Sequence, residues 1–305
     1  MAASLQSLAE KKRSRRVQTF GKDDCLIGSI NDARVVDGQT SETGAILWGL
    51  GVAEVKTARR LAKRGIPSLQ VRINNVDFRD KEGRNDTYDR HGIEFCVAAM
   101  DHLQAERGVK RFVLMGNCAC ASVCLNTAIV DPRVSGLILT NPHISKRQLL
   151  SVSLAHKVIS SNAVGRLLRG DIDLSTNIIA LAEVAKRRLS KRLPGRGGNA
   201  GAASNRRRPD FELPDDLVTE LQNLAKRDVK TFLACAQTDD SMHYLRKNHG
   251  AGLDQLQIDG SLAFETVEVD THVFSRDDKA AGLLNDAISR WVETTPFSGC
   301  QPASE

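Results

Sequence analysis

Cys118 lies in the stretch RFVLMGNCACASVCLNTAIVDPRVSGLILTNP, residues 111–142, where an apolar run gives way to a segment of helical spacing. A side chain at such a strand-to-helix turn is held at the rim of a sheet, and a tight turn has room only for small residues two positions before and two after it. Gly116 and Cys120 fill those positions, with Asn117 between the glycine and Cys118. A thiol with a pKa near about 8.5 becomes a strong nucleophile once its proton is drawn off, and both a neighbouring imidazole and a helix amino end favour that. The natural target is an acyl carbonyl. Such chemistry needs a base and a carboxylate to orient the base, in the chain order nucleophile, acid, histidine. FLACAQTDD ends an apolar run in Asp239 and Asp240, and FETVEVDTHVFS brings His272 after the next. Cys118, Asp239 and His272 fall in the required order.

Attack on an acyl carbon creates an oxyanion that two backbone N–H groups must hold. Ala119, just after the nucleophile, supplies one, and the loop GLGVAE supplies the other at Leu50 or Gly51. Cys118, Cys120 and Cys124 could instead be metal ligands. A closed zinc site, however, takes four converging ligands, and no fourth Cys or His stands nearby in the sequence, so a metal site is not expected. Cys124, inside ASVCLNTAIV, reads as core, and Ser122 lies a turn too far into the helix to be the nucleophile. His143, in NPHIS, either contacts substrate or caps a loop.

The elements that must position these groups alternate. GAILWGLG precedes the helical spacing of AEVKTARRLAKRG, PSLQVRINN precedes GIEFCVAAMDHLQAERG, and RFVLMG precedes ASVCLNTAIV, with SGLILTNP directly after. Strand and helix in turn predict a mainly parallel sheet covered on both faces. From about 145 the rhythm changes to helices without strands, an insertion expected over 145–228, and its interior near 194–209 is too rich in Gly, Ala, Ser and Arg to order itself. The alternation returns with VKTFLACAQTDD and AFETVEVDTHVF and closes with AAGLLNDAISRWVET. The domain therefore reads as 23–144 and 229–295 around the insertion, with polar tails at 1–22 and 296–305.

With 305 residues, 41% hydrophobic and 26% charged, the chain has the composition of a globular protein with a sizeable core. No apolar run is long enough to span a membrane, and the first twenty residues lack the apolar stretch of a secretory signal, which points to the cytoplasm. Its seven cysteines are odd in number and show no disulfide-scaffold spacing. The net charge of +6 collects in KKRSRR at 11–16 and in KRRLSKRLPGRGGNAGAASNRRRP at 186–209. Neither run is interleaved with aromatics that could stack on bases, so solvated segments are expected rather than a nucleic-acid site.

The motifs carry a resemblance. From about 24 to 295 the chain resembles an α/β-hydrolase, and more narrowly it is similar to the cysteine-elbow hydrolases associated with bacterial exosortase systems. The residues that carry this are GNCACAS, DPRVSGLILTNP, RLLRGDIDL in the insertion and THVFS around the histidine. The resemblance implies an α/β-hydrolase fold with a helical cap, and it favours Asp239 over Asp240 as the strand-end acid. It also implies hydrolysis or transfer of an acyl group from a small-molecule or carrier-bound ester or thioester, with no cofactor. Two other readings stand beside it: a hydrolase-like scaffold without activity, and a binder of an anionic partner through the basic segments.

Overall fold

Along the chain the computed structural model runs β1 (Val17–Phe20), β2 (Leu26–Asn31), β3 (Thr43–Trp48), α1 (Val52–Lys63), β4 (Ser68–Ile73), α2 (Thr87–Arg107), β5 (Arg111–Asn117), α3 (Ala119–Val130), β6 (Val134–Thr140), α4 (Leu217–Lys226), β7 (Lys230–Ala236), α5 (Asp240–Ile258), β8 (Leu262–Val267) and α6 (Asp278–Thr294). The structure describes residues 17–33, 41–49, 51–73, 87–145, 148, 210–269, 274 and 277–297.

The strands form one sheet in the order β1-β2-β4-β3-β5-β6-β7-β8. β2 runs antiparallel to both β1 and β4, and every pairing from β4 to β8 is parallel. Strands covered on both faces must be apolar throughout, and β3 and β6 are buried along their whole length. Side chains alternate between faces. Ala45, Leu47, Val113, Met115, Phe232 and Ala234 point to the face where α1 and α6 pack together, against Leu61, Leu284 and Ile288.

The topology decides where chemistry can happen. From β3 the chain goes out to β4, then crosses back past β3 to β5, so the order reverses there, and in open α/β sheets ligands bind at the carboxyl ends of the strands at such a switch point. Leu47 lies opposite Met115 in the parallel register, so the residues after Trp48 and those after Asn117 emerge side by side.

The segment DPRV, met in the sequence as a family motif, is a clamp. Arg133 grips the Asp131 carboxylate with Nε at 3.1 Å and a terminal nitrogen at 2.8 Å, reaches Asp101 and Gln104 of α2 at 2.7 and 3.0 Å, and covers the Phe112 ring. Arg227, just past α4, donates to the carbonyls of Ala128, Ile129 and Asp131. Two arginines thus satisfy and hold the carboxyl end of α3, the helix whose amino end carries Cys118.

Two boundaries differ from expectation. The tail expected over 1–22 is structured from Val17, because β1 pairs with β2 and Phe20 is buried, stacked on His102 with 4.1 Å between ring centres. The insertion expected to reach 228 gives way earlier. From Asp210 the described chain belongs to the same compact unit as the sheet, since Leu217, Leu221 and Leu224 bury one face of α4 and Asp210 is itself buried. Residues 11–16, the basic run 186–209 and nearly all of 146–208 lie outside the described residues. Among the described residues no helix is long and apolar enough to cross a membrane.

Candidate active site

Cys118 is the hinge between β5 and α3, with φ 54° and ψ −123°. A residue with a Cβ occupies that region at a cost of roughly 1–3 kcal/mol, and such strain persists only where the surroundings impose it. Here they do. The Cys118 N–H donates to the Thr140 carbonyl at 3.0 Å, its carbonyl accepts from the N–H groups of His143 and Ala121, and the Thr140 hydroxyl donates to the Asn117 side chain at 3.0 Å. Gly116 explains the tightness. A Cβ there would stand 2.5 Å from the carbonyl carbon and oxygen of Cys120 and 2.7 Å from the Ala121 nitrogen. The close approach is thus to the backbone of residue 120, while the Cys120 side chain is half-buried.

The Cys118 thiol is half-buried, and burial pushes its pKa up; the nearby Asp239 charge adds to this, and the Ala119 N–H opposes it with less effect. Helix amino end and imidazole were expected to favour the thiolate; burial acts in the other direction. Cys124 is fully buried against the Cys96 thiol, as core. Among the described residues no group of three His, Cys, Asp or Glu side chains could hold a metal ion.

Asp239 and Asp240, adjacent in sequence, have different surroundings. Asp239 ends the turn after β7 and is buried, with one carboxylate oxygen accepting from the Ser241 N–H at 2.8 Å and the Ser241 hydroxyl at 2.5 Å. It is the N-cap of α5. Asp240 is the first helical residue and is exposed. His272 and Leu50 lie outside the described residues.

No family model matches the chain, and no curated protein matches it. Solved structures do. An acylaminoacyl peptidase of Pyrococcus horikoshii is 12% identical with a TM-score of 0.51, over 98% of this chain and 44% of that one. An esterase of Pyrococcus furiosus is 10% identical with a TM-score of 0.51, over 93% and 92%. A putative α/β-hydrolase of Agrobacterium tumefaciens, a protein of unknown function, is 11% identical with a TM-score of 0.50, over 91% and 96%. The fold is that of the α/β-hydrolases.

Within this α/β-hydrolase fold, three features surround the elbow, of which the sequence singles out only His143. Asn141, at φ 40°, accepts the Ala236 N–H on its side-chain oxygen at 2.8 Å and donates its own N–H to the Ala234 carbonyl, tying the end of β6 to the end of β7. His143 packs edge-on against Phe211 with 5.1 Å between ring centres. The chain therefore leaves for the insertion and returns from it beside Cys118. Asp210 and Glu212 offer backbone carbonyls to the Asn126 amide of α3 at 2.6 and 2.9 Å, and the Asp210 carboxylate accepts the Ile93 N–H at 3.1 Å.

The third is Glu54. It is the third residue of α1 after the N-cap Gly51, only 7% exposed, and its Oε2 is buried without a hydrogen-bond partner. Burial raises its pKa, although its own N–H and that of Gly51 pull the other way. Gly51, expected as an oxyanion donor, is the N-cap of α1. A raised folded-state pKa means that the stability contributed by the neutral acid is fully present below about pH 4.3 and is lost as pH rises through the raised value. Glu54→Gln should therefore gain stability relative to wild type as pH is raised over that window. Urea titrations of both proteins at a series of pH values upward from about 4 check this; a constant difference would show that Glu54 keeps an ordinary pKa.

Proposed function

We propose that this chain is a cysteine-dependent hydrolase or acyltransferase that takes an acyl group from an ester or thioester onto Cys118. Asp239 would orient His272, and the Ala119 N–H with that of Leu50 or Gly51 would hold the oxyanion. The observation that carries this reading is the backbone of Cys118, held at φ 54° on a strand-to-helix turn that only glycine at 116 permits. Strain of that kind aims one side chain into the crevice at the sheet's switch point, and a buried structural cysteine has no use for it. The motifs GNCACAS and DPRVSGLILTNP also support placing the chain with the cysteine-elbow hydrolases of exosortase systems.

In this mechanism His272 acts as the general base that draws off the Cys118 proton. His272 takes the thiol proton as sulfur attacks the carbonyl carbon, and the carbonyl electrons move onto an oxygen held by the two N–H donors. Collapse expels the alcohol or thiol, which receives the proton from His272. Water, or an acceptor hydroxyl or thiol, then gives its proton to His272 and attacks the acyl-cysteine, restoring the Cys118 thiol.

Intact-protein mass after brief exposure to activated esters and acyl thioesters tests this. Wild type should gain one acyl group in place of one hydrogen, Cys118→Ala should gain none, and His272→Ala should react slower by on the order of 10²–10⁴. Acylation of Cys120 or Cys124 at the same rate as Cys118 would sink the proposal.

A further inference from the structure

The paired register of β6 and β7 ends at Thr140 opposite Ala234, and Asn141 carries the pairing one rung further by an unusual route. In a parallel ladder a residue donates its N–H to the facing strand and accepts, on its main-chain carbonyl, an N–H from further along that strand. The Asn141 N–H makes the first bond, to the Ala234 carbonyl at 2.9 Å. Its side chain makes the second, with Oδ1 accepting the Ala236 N–H at 2.8 Å. The backbone is thereby released from the ladder. At φ 40° it turns into Pro142 and brings the His143 N–H to the Cys118 carbonyl at 3.2 Å. Asparagine suits both tasks, because it accepts a positive φ and its amide carbonyl can stand in for that of a peptide. The two strand ends so joined carry the proposed chemistry. On one side the Thr140 carbonyl accepts the Cys118 N–H at 3.0 Å, and on the other the Ala236 carbonyl accepts the Asp239 N–H at 3.1 Å. A path of hydrogen bonds therefore runs from Cys118 through Thr140, Asn141 and Ala236 to Asp239.

We propose that Asn141 is a positioning residue for acyl transfer: its side-chain carbonyl locks the end of β7 to the end of β6 and so sets Asp239 at a fixed place relative to Cys118. This rests on Cys118 being the acylated residue and Asp239 the acid of that reaction. Stability alone would not call for such a device. A strand that simply continued would pair Ala236 with a main-chain carbonyl and would need no residue with a side chain in the left-handed region. The device makes sense where the chain must leave β6 toward the elbow while the turn after β7 stays in register. Asn141 and Ala236 are both fully buried, so the Ala236 N–H depends on the partner that the asparagine supplies.

The effect is on the chemical step and not on binding. A misplacement of about 1 Å can cost on the order of 10² in rate, so loosening this bond should slow acylation by about tenfold or more. Single-turnover acylation of the full chain by an acyl thioester, followed by mass, compares wild type with Asn141→Gly, Asn141→Ser and Asn141→Asp at temperatures where circular dichroism shows each folded. Gly keeps the positive φ and deletes the bridge, and Ser offers an oxygen one bond short of Oδ1. Both should show a maximal rate about tenfold lower or worse at an unchanged half-saturating concentration. Asp presents an acceptor at the same reach and should be faster than Gly by at least about threefold. The deciding arm repeats Asn141→Gly, or Asn141→Ser should Gly not fold, in an Asp239→Asn background. If Asn141 acts through the acid, its loss should there slow acylation by less than about threefold, since residues that work as a unit are not additive. An equal slowing in both backgrounds, a wild-type rate for Gly or Ser, or Asp as slow as Gly overturns the proposal. If wild type forms no adduct on Cys118, or Asp239→Asn is as fast as wild type, the parent reading fails and this one with it, an outcome that those two arms alone reveal.

Discussion

Gly116→Ala should leave a protein that melts roughly 6–12 °C lower, or does not fold, and that no longer acylates even where it is folded. The cause is geometric. The added methyl would lie 2.5 Å from the carbonyl carbon and oxygen of Cys120, and what it strikes is helix backbone rather than a flexible side chain. Relief requires α3 to move off β5, but α3 is held at its far end by Arg133 and Arg227 and along its flank by the contact of Asn126 with Asp210 and Glu212. Overpacking commonly destabilises by 1–3 kcal/mol, and one with no yielding partner belongs at or beyond about 3 kcal/mol. Any shift of α3 also moves the Cys118 sulfur and the Ala119 N–H, so chemistry fails together with stability. Cys120→Ala is the matching control: it changes a half-buried side chain outside the close approach and should melt near wild type. Thermal melts with acylation rates on the three proteins decide it. A Gly116→Ala protein that melts and acylates like wild type would mean that the turn is not the tight elbow described.

The part of the fold around this turn was legible because its signals are local. β5, α3 and β6 are a continuous apolar run, a run of helical spacing and another apolar run, and 116 has no room for a Cβ. β1 gave no such signal: in VQTF one residue, Phe20, is buried, and its environment comes from His102, 82 positions away in sequence, to which it stacks. The membership of α4 was equally hidden, since an amphipathic helix reads the same in an insertion as against a sheet, and only the burial of Leu217, Leu221 and Leu224 distinguishes them. Glu54 was missed for a related reason. In AEVKTARR a glutamate looks like part of a solvated face, although the spacing Gly51-x-x-Glu54 is that of a capping pair and could have flagged it. The raised thiol pKa of Cys118 lay beyond sequence reasoning altogether, because it depends on burial and on how close Asp239 comes.

Asp239→Asn should keep the fold and lose most of the chemistry. The N-cap position accepts Asn as readily as Asp, so the contacts to the Ser241 N–H and hydroxyl survive and the melting temperature should hardly change. An amide cannot do what the proposal asks of the carboxylate, which is to accept from one nitrogen of His272 and stabilise the imidazolium that forms when the thiol gives up its proton. Losing that function in related triads lowers turnover by on the order of 10⁴, and a fall of 10²–10⁴ in acylation rate is expected here. Asp239→Ala should show the same fall plus a loss of about 1 kcal/mol from the missing cap, which separates the two roles of one side chain. Asp240→Ala removes an exposed carboxylate from the first turn of α5 and should change stability by no more than about 1 kcal/mol and acylation hardly at all. Since Asp239 also raises the Cys118 pKa through its charge, Asp239→Asn should label with iodoacetamide at least as fast as wild type while acylating far more slowly. That opposition separates a lost orienting acid from a damaged nucleophile. Should Asp239→Asn acylate normally while Asp240→Ala does not, the acid is the neighbour, and Asp239 is a helix cap alone.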